Sequence, residues 1–148
     1  MKTVLFACVH NAGRSQMAAA FFNALADPTQ ARALSAGTHP SERVHPAVVE
    51  AMAEFGIDLS KARPGLLTRE KASGASLLVT MGCGEECPVV PGLRTEDWAL
   101  DDPKDQPPER VREIRDEIRN RVVLLLTRAG WARPESAGPS ASAPGRPA

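Results

Sequence analysis

The apolar positions of this chain fall into short continuous runs that alternate with stretches of helical spacing. Thr3-Val4-Leu5-Phe6-Ala7 is β-prone and apolar almost throughout, the pattern of a parallel strand covered on both faces, and it runs into the turn-forming residues His10-Asn11-Ala12-Gly13. Behind Ser15, a suitable N-cap, Met17, Phe21, Ala24 and Leu25 recur at helical spacing until Asp27-Pro28 stops the pattern. Residues 31–36 predict a second strand ended by Gly37. Pro46 then opens a helix with Val48, Val49, Met52 and Phe55 on one face and Gly56 at its end. Ser76 to Met81 predicts a third strand and Leu93 to Trp98 a fourth. Val111, Ile114, Ile118, Val122 and Leu125 or Leu126 make one apolar stripe, with Arg and Glu on the opposite face, which predicts a long amphipathic helix. Strands alternating with helices imply an α/β fold: a three-layer sandwich around a central four-stranded, mostly parallel sheet, with its ligand site beyond the carboxyl ends of the strands. Cys8 and Cys83 each follow such an end.

The length of 148 residues suits one domain with one core, expected over residues 1–131. Residues 132–148 are dominated by Ala, Pro, Ser, Gly and Arg, which bury too little surface to offset the entropy of ordering, so a flexible tail is expected there. The formal net charge is zero, which gives no electrostatic reason to expect nucleic acid as a partner. Met1-Lys2 leads directly into the first apolar run without the length or cleavage site of a signal peptide, and no segment reaches the ~18 apolar residues of a membrane span. A cytoplasmic protein without membrane attachment is the expectation. Three cysteines in such a chain point to reduced thiols that do chemistry rather than to a disulfide framework.

The segment Cys8-Val9-His10-Asn11-Ala12-Gly13-Arg14-Ser15 joins a strand to a helix. Its backbone N–H groups, together with the helix N-terminus, form a nest for a tetrahedral oxyanion, so Val9, His10, Asn11, Ala12, Gly13, Arg14 and Ser15 are the expected anion-binding residues. Gly13 permits close curvature, and Arg14 can hold two anion oxygens in a planar fork. A cation and a helix N-terminus beside a cysteine favour thiolate, which makes Cys8 an activated nucleophile. The plain alternative, a buried Cys8 and a surface Arg14, leaves the strand-loop-helix placement unexplained. With Ser15 after the arginine and an amino-terminal strand before the cysteine, the segment resembles the phosphate-binding loop of low-molecular-weight protein tyrosine phosphatases and of the arsenate reductases that share their fold. The resemblance runs over roughly residues 2–130 in element order and is specific at this loop, at the later cysteine pair and at one Asp-Pro. It implies the low-molecular-weight phosphatase-like form of the α/β sandwich, with Asn11 bracing the loop through its amide.

Several features separate the two branches. The phosphatases typically carry a second cysteine where this chain has Gly13, follow the arginine and serine with proline where it has Gln16, and use a tyrosine beside their acid, whereas this sequence has no tyrosine. Thr80-Met81-Gly82-Cys83-Gly84-Glu85-Glu86-Cys87-Pro88 resembles the redox segment of thioredoxin-coupled arsenate reductases. That resemblance implies reduction of arsenate to arsenite with no added cofactor. Cys8 attacks arsenic, Asp102 protonates the leaving hydroxyl, Cys83 attacks Cys8 to release arsenite, and Cys87 resolves the disulfide for thioredoxin to reduce. The short spacing of Cys83 and Cys87 leaves a glutathione- or mycothiol-type donor open, and a phosphatase acting on small or tyrosyl phosphoesters is the alternative activity. Asp102 is chosen over Asp101 because it precedes Pro103 in Trp98-Ala99-Leu100-Asp101-Asp102-Pro103, which resembles the family's Trp and Asp-Pro arrangement. Read as half of a zinc site, Cys83 and Cys87 lack a matching pair among His10, His39 and His45, so no metal is expected. His10 is expected exposed beside the site, His39 and His45 without a role, and Trp98 and Trp131 in packing.

Overall fold

The structure, a computed structural model, describes residues 1–82 and 91–133. Cys83, Cys87 and residues 134–148 of the expected tail lie outside the described residues. In chain order the elements are β1 (Lys2–Cys8), α1 (Arg14–Leu25), β2 (Ala31–Gly37), α2 (Pro46–Ala53), α3 (Arg69–Ser73), β3 (Leu77–Thr80), β4 (Arg94–Asp97) and α4 (Pro108–Ala129). The strands form one parallel sheet in the order β2-β1-β3-β4. The chain leaves β1 for β2 on one side and later returns to β3 on the other, so the connections diverge at the carboxyl end of β1 and open a crevice there. Cys8 is the last residue of β1, in register with Gly37 of β2.

The two sheet faces are unequal. Val4, Phe6, Leu77 and Val79 meet the layer made by α1, α2 and α4, where the Phe6 ring lies 6.0 Å from Phe22 and 5.6 Å from Trp98. The whole predicted stripe of α4, from Val111 to Leu126, is buried in that layer. Gly130 ends α4 in the left-handed region (φ 76°), which lets the Trp131 N–H return to the Leu126 carbonyl at 2.9 Å and sets the indole edge-on to Phe22. On the other face Leu5, Ala7, Ala36 and Leu78 are covered by Ala72 of the five-residue α3. That helix is too short to show a period in the sequence. Its start is fixed instead by the Thr68 hydroxyl, which accepts the Lys71 N–H at 3.2 Å.

Three expectations about side chains change. Ser15 is not the N-cap of α1, because the helix begins at Arg14 behind Gly13 and Ser15 is buried in its first turn. On the buried face of α1, Phe22 stands where Ala24 was expected, since Ala24 is exposed. Phe55 is 44% exposed; it stands edge-to-face on Phe21 at 5.4 Å under the Arg115 guanidinium at 4.7 Å, so cations rather than core cover its outer side. At the end of the described chain, Ala132 bridges Ala26 and the Arg133 N–H reaches the Leu25 carbonyl at 3.1 Å, which docks two residues of the expected tail span on the end of α1.

Ile118 is 0% exposed, and Ile118→Ala is expected to cost about 2–5 kcal/mol in chemical denaturation through the cavity it leaves. Leu124→Ala on the exposed side of the same helix should stay within about 0.5 kcal/mol of the parent protein.

Candidate active site

The turn between β1 and α1 is shaped by what holds its carbonyls. The carbonyl of Cys8 accepts the Thr38 N–H at 3.2 Å, that of Val9 the His39 N–H at 2.8 Å, that of His10 the Ser41 N–H at 3.0 Å and that of Ala12 the His45 N–H at 2.9 Å. Residues 38–45 therefore act as a strap along the outside of the loop, and the Gly13 carbonyl is taken by Met17 inside α1 at 3.0 Å. Asn11 adopts φ 51°, the left-handed geometry that the reversal needs and that asparagine tolerates. No described residue accepts a hydrogen bond from the N–H groups of residues 9–15. Those donors and the N-terminus of α1 are groups able to bind an anion at the turn that Cys8 opens.

A chain of side-chain hydrogen bonds ends on the Cys8 sulfur. Ser15 Oγ lies 2.9 Å from Cys8 Sγ and accepts from Asn11 Nδ2 at 2.7 Å, which leaves the single hydroxyl hydrogen of Ser15 for the sulfur. Asn11 Oδ1 in turn receives the Gly65 backbone N–H at 2.9 Å and Gln16 Nε2 at 3.1 Å. A backbone N–H can only donate, so Oδ1 must face Gly65, and the polarity of the whole chain follows.

Arg14 and Asp102 meet at the mouth. The buried Arg14 guanidinium donates from Nη1 to the Leu100 carbonyl at 3.2 Å, and its Nη2 stands 3.5 Å from Asp102 Oδ2. Asp102 Oδ1 accepts the Lys104 N–H at 3.0 Å, whereas Asp101 pairs with Arg110 of α4. Gly82 (φ 94°) passes against Arg14 so closely that a Cβ there would overlap the guanidinium. Gly13 serves a similar close approach rather than a left-handed turn: its φ is −142°, and a Cβ would stand 2.9 Å from Pro103 Cγ. The proline that follows Asp102 thus rests on the anion loop itself. A cavity of 490 Å³ lined by Thr80, Gly82, Asp97, Ala99, Leu100 and Asp101 shares Gly82 and Leu100 with the surroundings of Arg14.

Of the residues singled out in the sequence, Cys8, Arg14, Asp102 and the loop 9–15 come together here, while Cys83 and Cys87 lie outside the described residues. Trp98 is buried against Phe6. All three histidines sit on the loop or its strap. His10 Nδ1 lies 3.0 Å from the His39 carbonyl and so carries a hydrogen, and the edge of the His45 ring lies beside Gly13. Burial holds His45 below the ordinary imidazole range, with Lys104 and His10 adding to that shift and Asp102 and Asp105 opposing it. Among the described residues no group of His, Cys, Asp and Glu is placed to hold a metal ion. Sequence reading missed the strap and Gly65, which act through backbone groups, and the structural part played by Gln16, which is buried with Arg14, Ser15 and Met17 in the first turn of α1.

A family model for low molecular weight phosphotyrosine protein phosphatases matches residues 3–134. A Halobacterium salinarum protein assigned as an arsenate reductase is 43% identical over 127 residues, which is 82% of this chain and 88% of that protein. The solved structure of a thioredoxin-dependent arsenate reductase from Corynebacterium glutamicum aligns with a TM-score of 0.76 at 38% identity over 88% of this chain, which spans 62% of that protein. An arsenate reductase from Archaeoglobus fulgidus aligns with a TM-score of 0.71 at 33% identity, covering 84% of this chain and 98% of its own. By loop, sheet order and these likenesses together, the chain belongs to the low molecular weight phosphotyrosine protein phosphatase family, on its arsenate reductase branch.

Proposed function

We propose that this chain reduces arsenate to arsenite by a relay of three thiols that starts at Cys8 and ends on thioredoxin. The observation that carries the reading is the position of Gly82: the residue before Cys83 lies against the guanidinium of Arg14, on the loop that begins at Cys8. A phosphatase needs the nest, the nucleophile and the acid. Reduction also needs two electrons, which a second and a third thiol supply.

Arsenate enters with its oxygens on the N–H groups of residues 9–15 and on the Arg14 fork, displacing the resting Arg14–Asp102 contact. Cys8 sulfur attacks arsenic while Asp102 gives a proton to the departing hydroxyl, which leaves as water. Cys83 thiolate then attacks the Cys8 sulfur. The electron pair of the sulfur–arsenic bond passes to arsenic, arsenite departs, and Cys8 and Cys83 are left as a disulfide. Cys87 attacks Cys83, frees Cys8 as thiolate and leaves a Cys83–Cys87 disulfide for the donor. A thioredoxin donor is favoured by the likeness to the Corynebacterium glutamicum enzyme, and a glutathione- or mycothiol-type donor would replace only this last exchange. A cytoplasmic location belongs to the same reading, because the relay needs a compartment that keeps thiols reduced; among the described residues no helix is long and apolar enough to cross a membrane.

The Cys87→Ser protein given one equivalent of arsenate should release arsenite and accumulate a Cys8–Cys83 disulfide in peptide mass spectra, whereas Cys83→Ser should release none. Full steady-state turnover by either variant excludes the relay. The family model also leaves phosphoester hydrolysis as a second reading, and a fast rate on an aryl phosphate that ignores Cys83 would favour it. Asp102→Asn should slow the first chemical step by roughly 10²–10⁴-fold with the fold intact, and an unchanged single-turnover rate removes Asp102 as the acid.

A further inference from the structure

Gln16 is the residue by which this sequence departs from the arginine-serine-proline pattern, and the reaction as proposed gives it nothing to do. It is 6% exposed, on the first turn of α1, beside Arg14 and Ser15. A buried amide must find partners, and this one spends its two hydrogens on Asn11 Oδ1 at 3.1 Å and on the Arg63 carbonyl at 3.4 Å.

We propose that Gln16 is a positioning residue for the Cys8 thiolate: its amide locks the Asn11 side chain in the one orientation that ends the hydrogen-bond chain on sulfur. Asn11 has two ways to sit. With Oδ1 toward Gly65 and Gln16, two donors fill its two lone-pair sites, and Nδ2 donates to Ser15, whose own hydrogen then goes to sulfur. Turned over, Asn11 would set its NH2 group against both donors and its oxygen against Ser15. Ser15 would then donate to Asn11 and offer sulfur only lone pairs, which a thiolate repels. The Gly65 N–H disfavours the turned state by one lost bond, and Gln16 doubles that penalty while tying residues 63–65 to the helix that carries Arg14. Proline at this position would supply no side-chain donor. Gln16 therefore touches neither substrate nor sulfur and acts through Asn11 and Ser15.

The inference rests on Cys8 as the nucleophile, and the test separates the two. In the full-length chain with Cys83→Ser and Cys87→Ser, Cys8 is the remaining thiol, and its alkylation by iodoacetamide is followed across pH. Gln16→Met keeps length and volume without a donor. It should move the profile to higher pH and slow alkylation in mildly acidic buffer by about three- to tenfold, with the alkaline plateau unchanged. In a Ser15→Ala background the same substitution should add nothing, because the route to sulfur is already cut. An unmoved profile, or an equal shift in both backgrounds, overturns the role of Gln16. A wild-type Cys8 that reacts like an ordinary thiol at neutral pH overturns the nucleophile reading instead. Independently of any variant at position 16, NMR exchange of the Gln16 side-chain amide in the wild-type protein should be protected, and fast exchange with solvent refutes the lock.

Discussion

A peptide unit that gives its carbonyl to one side presents its N–H to the other, and the site in this protein depends on that constraint. Residues 38–45 take the carbonyls of Cys8, Val9, His10 and Ala12, so the N–H groups of the same peptides, those of Val9, His10, Asn11 and Gly13, turn away from the strap. The sheet order places the loop where this can happen. With β1 central and the chain leaving it for both sides, the carboxyl end of β1 is the one point where a strap from β2 and a segment from β3 both pass. β1 can occupy the centre because Val4 to Ala7 are apolar on both faces, and the depth of the nucleophile follows from the same run.

The groups gathered at the mouth of the loop are tied to one another through small residues. Pro103 rests on Gly13 at a distance that excludes a Cβ, so the residue bearing the carboxylate and the anion loop are held as one body. Gly82 passes Arg14 at a distance that likewise excludes a Cβ. Arg14 joins the parts: its fork is shared between the Leu100 carbonyl and Asp102. Asp101 is held off by Arg110, which leaves Asp102 as the carboxylate turned to the mouth.

The sequence was most legible where one residue pattern has one physical reading. A run apolar on both faces is a central parallel strand, the period from Val111 to Leu126 is a helix against a core, and a cysteine, arginine and serine after such a strand fall on the turn into a helix. It was illegible where structure rests on backbone groups or on bonds between distant segments. The strap contributes N–H groups that every residue but proline possesses, and α3 is shorter than two helical turns. Ser15 was misread for a related reason. Local sequence makes it a helix cap, but the sulfur seven residues earlier and Asn11 between them claim its hydroxyl. Phe55 differs because α2 ends at Ala53, before reaching it, and Ala24 because the width of an apolar stripe is not set by periodicity alone.

An anion loop and a nucleophile would serve hydrolysis and reduction alike, so what sets reduction apart is a flow of electrons from the thiols of this chain to arsenic. The direct measurement is arsenate-dependent oxidation of NADPH by the full-length protein with thioredoxin and thioredoxin reductase, with glutathione–glutaredoxin and mycothiol–mycoredoxin systems run alongside. The thiol relay requires one NADPH oxidised for each arsenate consumed, with arsenite as the product and no turnover without Cys8. No oxidation with any of the three systems, in a preparation that hydrolyses an aryl phosphate, would contradict it.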